Sequence, residues 1–411
     1  MSEDARFQMN RRQFFGSSAL ASLGLASLGV VEGSTEAAAA TQQEVVTFYG
    51  PHQAGIATAA QDHLVFATFD IATSSTQLLS TTLNTWSRAA ASMTAGKPVG
   101  VSAALNFPPS DTGEAMNAGP ARLTITLGVG PTFFSTPATA NAQRPAALVD
   151  LPAFPGDQLN PEASGGSLCI QACSDDPQVA FHAVHNLARL GLGAVTLRAM
   201  QVGFGRTSST TTDQATQRNL LGFKDGTNNL LADTPGAMNE YVWDNKTTPG
   251  WMDGGTYLVA RRITMRLEQW ASTSLGQQQN AIGRVKSSGA PLGKRLEHDP
   301  VDLAALGEHG MPVIPEGAHI RLASATTNNG VKILRRGYGF ADGVNPTTGE
   351  LDAGLFFISF QKDPIKQFAA IQRQLSQADL LHEYLVHTSS GVFACPRGLS
   401  PGEGWGHLLL G

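Results

Sequence analysis

Between residues 63 and 203 the apolar pattern changes period in an order that few folds accommodate. Residues 63–70, HLVFATFD, are dense in β-formers and apolar enough for a sheet strand. Residues 76–93 place Leu78, Leu79, Leu83, Trp86 and Ala90 near helical spacing, which predicts a helix. Residues 123–130 alternate strictly, as a strand with one buried face would. Residues 167–172 read as another strand. Asp175-Asp176-Pro177 then suits the start of a helix over 178–190, with an acid to cap it and proline in its first turn. Residues 195–203 give a further strand. Strand, helix, strand, strand, helix, strand is the split β-α-β order of a ferredoxin-like α+β domain.

The second half varies the same theme. Residues 255–266 predict a strand, 267–275 begin a helix and 277–283 continue it. Residues 354–361 are strongly β-forming, 368–375 and 379–386 read as helical, and 391–395 close the series. The expected organisation is an N-terminal ferredoxin-like domain over 41–215 and a C-terminal one over 216–411, both with antiparallel sheets and flanking helices. A length of 411 residues accommodates two such domains.

Ahead of them stands an address. Asn10-Arg11-Arg12-Gln13-Phe14-Phe15 is a twin-arginine motif, residues 16–31 are small and apolar, and Ala37 to Ala40 suit a signal peptidase. Residues 1–40 are therefore expected to be a signal peptide for export in the folded state, to the periplasm or the extracellular space. The run is too rich in Gly and Ser for a membrane-spanning helix, so stable membrane insertion is not expected. A net charge of −5 provides no footprint for nucleic acid. Cys169, Cys173 and Cys395 cannot form a complete disulfide framework, and their apolar settings predict buried free thiols.

Candidate chemistry gathers in the second half. Gly222-Phe223-Lys224-Asp225-Gly226-Thr227-Asn228-Asn229 brackets one carboxylate with two glycines. Alone it is turn chemistry; glycine also lets backbone approach a flat ligand closely, so the loop could present Asp225 to one. His319 begins the alternating, strand-like run Gly317-Ala318-His319-Ile320-Arg321-Leu322-Ala323, and a neutral imidazole is a common axial ligand for haem iron. Lys332-Ile333-Leu334-Arg335-Arg336-Gly337-Tyr338 suits a strand that points one arginine into a pocket and the other away; the register favours Arg335 over Arg336 as the inward one. His182 and His185, at i and i+3 on a predicted helix, could bind metal, but no acidic partner completes the set and a surface or core role is expected.

Together these residues resemble the dye-decolorizing (DyP-type) haem peroxidases, and most of all their twin-arginine-exported branch, which includes the iron-uptake-linked peroxidase or deferrochelatase. The likeness runs through Phe48 to Ile56, 168–188, Gln217 to Asn228, 319–323, 333–338 and Glu383-Tyr384. It implies two ferredoxin-like halves of the dimeric α+β barrel type, with haem b in the C-terminal one. It also implies Asp225 and Arg335 as the catalytic pair on one haem face and His319 as the iron ligand on the other. Glu383 would accept the hydrogen bond from the second ring nitrogen. Gly226, Thr227, Asn228, Ser324, Ala325 and Thr326 would line the cofactor.

The implied reaction is oxidation of dyes, phenols or other bulky one-electron donors by hydrogen peroxide, with Asp225 shifting a proton and Arg335 stabilising charge as the O–O bond breaks. An aspartate ordinarily titrates at about 3.9, so an acidic optimum is expected. Release of iron from haem with the porphyrin intact, and non-enzymatic haem binding, are the alternatives. The resemblance also implies a homo-oligomer, expected to be a dimer, and iron-uptake or encapsulating partners. Trp243, Trp251, Trp270 and Tyr338 are candidate surface relays for electrons.

Overall fold

In the computed structural model, residues 44–101, 103–245 and 249–411 are described. The expected signal segment, residues 1–40, lies outside them. In the first half the chain forms β1 (His63–Ile71), α1 (Thr76–Thr94), β2 (Thr124–Val129), β3 (Leu168–Ser174), α2 (Pro177–Leu190) and β4 (Val195–Arg206). Ser75 caps α1 by accepting from Leu78 N, and the cap expected for α2 is present: Asp176 accepts from Gln178 N and Val179 N ahead of Pro177.

The second half contains β5 (Thr256–Met265), α3 (Leu267–Ser272), α4 (Leu275–Ile282), α5 (His319–Leu322), β6 (Leu334–Arg335), β7 (Tyr338–Val344), β8 (Leu351–Gln361), α6 (Ala370–Ala378) and β9 (Leu385–Cys395). Two expectations change here. His319 opens a short helix and not a strand, and 379–386 is not helical. Asp379 is extended, a single tight turn spans His382–Tyr384, and β9 follows.

The spatial order is β4-β1-β3-β2 in the first half and β7-β8-β5-β9 in the second. Numbered within each half, both follow the same ferredoxin-like order, so the α+β expectation holds. Two antiparallel seams join the halves. One pairs Phe204 with Gly339 and Arg206 with Tyr338; the other pairs Val129 with Ala394. The sheet therefore closes on itself as an eight-stranded ring, with β6 paired to β8.

Alternation along the strands sorts the core into layers. Leu64 and Phe66 of β1 point inward with Phe356, Ile358, Phe360 and Phe393, and fill the ring. The free thiols of Cys169, Cys173 and Cys395 are buried in this interior. Val65, Ala67 and Phe69 point outward, beneath Leu79, Leu83 and Trp86 of α1. This layering buries all six residues of β2, where alternation had predicted one buried face. One face meets the ring interior and the other the helices.

His387 on β9 is buried, its Nδ1 without a partner among the described residues, and burial with nearby Arg261 and His382 pushes its pKa down to about 3, from 6.5. Because the folded value is the lower one, the unfolded chain binds the extra proton between them. The neutral ring's contribution is complete above about pH 6.5 and is lost as pH falls toward 3. Acidifying the haem-free protein from pH 7 to pH 4 should lower its Tm, the His387 share being on the order of a few kcal/mol. His387→Gln should flatten that dependence in thermal melts; equally steep curves for the two proteins would assign the acid sensitivity elsewhere.

Candidate functional site

The Asp225 turn is held from its inner side by hydrogen bonds that leave its carboxylate one direction to face. Gly222 and Gly226 have φ of +82° and +88°, a region where side chains are strained. A Cβ on Gly226 would also lie 2.9 Å from Ser208 Cα, so the turn packs directly on neighbouring backbone. Asp225 N donates to Gln217 O at 2.9 Å, and Asn219 Nδ2 donates to Asp225 Oδ2 at 3.2 Å. Asn229 locks the turn to β6. Its Nδ2 donates to Arg335 O at 2.9 Å, and its Oδ1 accepts from Arg335 N at 2.8 Å.

Strand alternation then separates the two arginines. Arg335 Nη1 donates to Asp225 Oδ1 at 2.7 Å, and both side chains line one cavity. Arg336 is fully buried on the opposite face, donating to Thr58 O at 2.5 Å and to Gln61 Oε1.

His319 lies on the same cavity at the start of α5. Its Nδ1 donates to Asp379 Oδ2 at 2.6 Å, and Asp379 Oδ1 accepts from Leu381 N at 2.8 Å. The expected partner, Glu383, does not make this contact. Helix α6 ends at Ala378, which brings the next residue, Asp379, against the imidazole; Glu383 lies on the exposed side of the following turn. Burial works against a charged His319 ring, but the charge and hydrogen bond of Asp379, helped by Asp225 and opposed by Arg335, raise its pKa above the ordinary value. With Nδ1 committed to a carboxylate, Nε2 is the donor nitrogen, and among the described residues it has no hydrogen-bond partner. About a third of the side chain's surface is still accessible, although the ring lies deep in the fold.

The cavity measures about 530 Å³, within the ordinary range of cofactor sites. Leu355 and Phe357 of β8 and Ile371 and Leu375 of α6 give it apolar walls. Gly226, Thr227 and Asn228 lie on its wall, as do Ser324, Ala325 and Thr326. An apolar slot with one open imidazole nitrogen and a carboxylate–guanidinium pair fits a large flat metal cofactor.

Comparison with known proteins agrees with that geometry. The family profile described as Dyp-type peroxidase, N-terminal, matches residues 53–205, and the one described as Dyp-type peroxidase, C-terminal, matches 216–400. The dye-decolorizing peroxidase of Thermobifida fusca (strain YX) is 42% identical over 301 residues, covering 70% of this chain and 68% of that protein. This chain belongs to the Dyp-type peroxidase family. The deferrochelatase of Escherichia coli (strain K12) is 33% identical over 376 residues, covering 90% of this chain and 88% of that one. The crystal structure of a DyP-type peroxidase from Streptomyces coelicolor superposes with a TM-score of 0.83 at 36% identity, covering 90% of this chain and 98% of that chain. Ferric DtpA from Streptomyces lividans gives 0.82 at 36% identity, with the same coverages. The cofactor of this Dyp-type peroxidase is haem.

Several cavity residues went unnoticed in the sequence. Asp379 directly follows a helix, where an acid can be aimed by the turn that ends it. Arg284, 6% exposed, and Arg261, 1% exposed and paired with Asp157, also line the cavity of this peroxidase, and nothing in their local sequence marks them. His182 and His185 do have acidic partners, Asp111 at 2.8 Å and Glu114 at 2.5 Å, brought in by a distant loop. The candidate relays are buried: Trp243 stacks on His52 at 3.8 Å, and Trp270 donates to Leu221 O at 2.9 Å.

Asp379→Asn should weaken haem retention by about 10- to 100-fold, as loss of a ligand's hydrogen-bond partner does. Glu383→Gln should leave it unchanged. Titration of the haem-free variants, followed at the Soret band, compares the two; equal losses would return the partner role to Glu383.

Proposed function

We propose that this chain is a haem b peroxidase in which hydrogen peroxide oxidises dyes, phenols or other bulky one-electron donors. The observation that carries the reading is the 2.7 Å pair of Asp225 and Arg335 on the wall of the cavity that also holds His319. A haem carrier needs the imidazole but has no use for an acid and a guanidinium held together in the same pocket.

When bound, haem supplies the iron that takes up peroxide and the electrons that its reduction requires. His319 would offer the Nε2 lone pair to the metal. Asp379 accepts Nδ1–H, which fixes the tautomer and makes the ring a stronger donor. The Asp225 carboxylate would accept a proton from hydrogen peroxide and return it to the oxygen that departs as water. The Arg335 guanidinium first holds that carboxylate in place and then stabilises negative charge on the departing oxygen. Gly226, Thr227 and Asn228, with Ser324, Ala325 and Thr326, would hold the porphyrin.

Removing the base in Asp225→Asn should slow the reaction with peroxide by about 10²- to 10⁴-fold. Arg335→Leu should slow it by about 10²- to 10³-fold. Stopped-flow mixing of the ferric proteins with peroxide measures both, and wild-type rates in both variants would remove the pair from the mechanism. A carboxylate base also suits an acidic medium; a pH–rate maximum above neutrality would speak against Asp225.

A second reading draws on relatives named deferrochelatase: release of iron from haem with the porphyrin intact. Incubating the holoprotein with and without peroxide separates the two. Dye loss with haem retained supports oxidation, and metal-free porphyrin supports iron release. We further infer twin-arginine export to the periplasm or the extracellular space from Arg11-Arg12 and the apolar run behind them. Among the described residues no helix is long and apolar enough to cross a membrane. The family resemblance supports a homodimer, iron-uptake or encapsulating partners, and a division of the mature chain at residue 215.

A further inference from the structure

The Asp225 turn is gripped from its outer side by a loop over residues 284–297. Before the turn, Arg218 Nη1 donates to Gly222 O and to Lys286 O, both at 2.7 Å, while Nη2 donates to Ser287 O at 2.7 Å. One guanidinium thus staples turn and loop together. Lys224, immediately before Asp225, runs its stem over Gly289, where a Cβ would lie 2.7 Å from Lys224 Cδ. Its Nζ then meets Glu297 Oε2. Thr227, two residues beyond Asp225, donates from Oγ1 to Glu297 Oε1 at 3.1 Å. Arg284 steadies the loop from within, donating to Gly289 O at 2.7 Å and Glu297 O at 3.1 Å.

Glu297 therefore has one carboxylate oxygen on each flank of Asp225, and its side chain is only 12% exposed. Burial works to raise its pKa, but hydrogen bonds from Lys224, Thr216 and Thr227 bring it below the ordinary value, so it stays an acceptor for both flanks. A turn tied at residues 224 and 227 has little freedom to rotate the residue between them.

We propose that Glu297 is a positioning residue for the peroxide reaction, fixing the Asp225 carboxylate at the cavity wall through Lys224 and Thr227. This rests on the reading of Asp225 as the proton acceptor. Misplacing such a group by about 1 Å costs on the order of a hundredfold in rate, so the clamp matters even though Glu297 has no contact with Asp225 itself.

The test compares Glu297→Ala, Glu297→Gln and Leu296→Ala with the wild-type holoprotein. Two quantities are measured: hydrogen exchange over residues 217–229, and the kinetics per bound haem. In Glu297→Ala, exchange over 217–229 should accelerate, because Asp225 N (to Gln217 O, 2.9 Å) and Asn229 N (to Gly226 O, 2.9 Å) lose their support. Its kcat/KM for peroxide should fall about 10- to 100-fold, with KM for the reductant unchanged. Glu297→Gln keeps an amide oxygen as acceptor and should fall between Ala and wild type. Leu296→Ala, next to Glu297 and 68% exposed, should match wild type.

Unchanged exchange at 217–229, or kcat/KM within about twofold of wild type, overturns the proposal. So does a general loss of stability and haem with activity per haem intact, which would give Glu297 a folding role alone. If the wild-type holoprotein itself does not react with peroxide, the peroxidase reading fails, and the exchange result alone decides whether Glu297 holds the turn.

Discussion

A charge taken out of water must be compensated where it is buried, and this requirement shapes the cavity more than any single residue does. Four carboxylates on or behind its walls each meet a basic side chain: Asp225 with Arg335, Asp379 with His319, Asp157 with Arg261, Glu297 with Lys224. The partners are 110, 60, 104 and 73 residues apart in sequence. Each pair compensates a carboxylate and also ties segments that are distant in sequence. The carboxylate proposed to move a proton is thereby also a tether between the 222–229 turn and β6.

The two halves share one topology and use their outer sheet faces differently. In the first half α1 and α2 pack straight onto the strands, with Leu79, Leu83 and Trp86 over Val65, Ala67 and Phe69. In the second, a cavity of about 530 Å³ separates Ile263, Leu355 and Leu385 on the strands from Ile371 and Leu375 on α6. The proposed cofactor site is thus the space between sheet and helix, outside the ring's packing of aromatic side chains and thiols.

Much of this was legible in the sequence because it follows from local periodicity. Alternation and helical spacing give the element order of the first half, and the same alternation separates Arg335 from Arg336. What was not legible depends on closure. The burial of both faces of β2 requires a ring that no short window contains. The histidine's partner is decided by where α6 stops: ending at Ala378, it presents Asp379, and the acid four residues later turns to solvent. Arg284 and Arg261 have unremarkable neighbours in sequence and acquire meaning only from the wall they join.

The ring closure has one more consequence. A sheet edge is a row of unpaired amides and carbonyls that invites another chain to add to it. In this chain the outer strands of each half are capped by the other half, through the Val129–Ala394 pairing on one side and the Phe204–Gly339 and Arg206–Tyr338 pairings on the other. These seams are short compared with the strands they join, so each half serves as the other's shield against aggregation. Parting them would turn one self-contained barrel into two adhesive sheets.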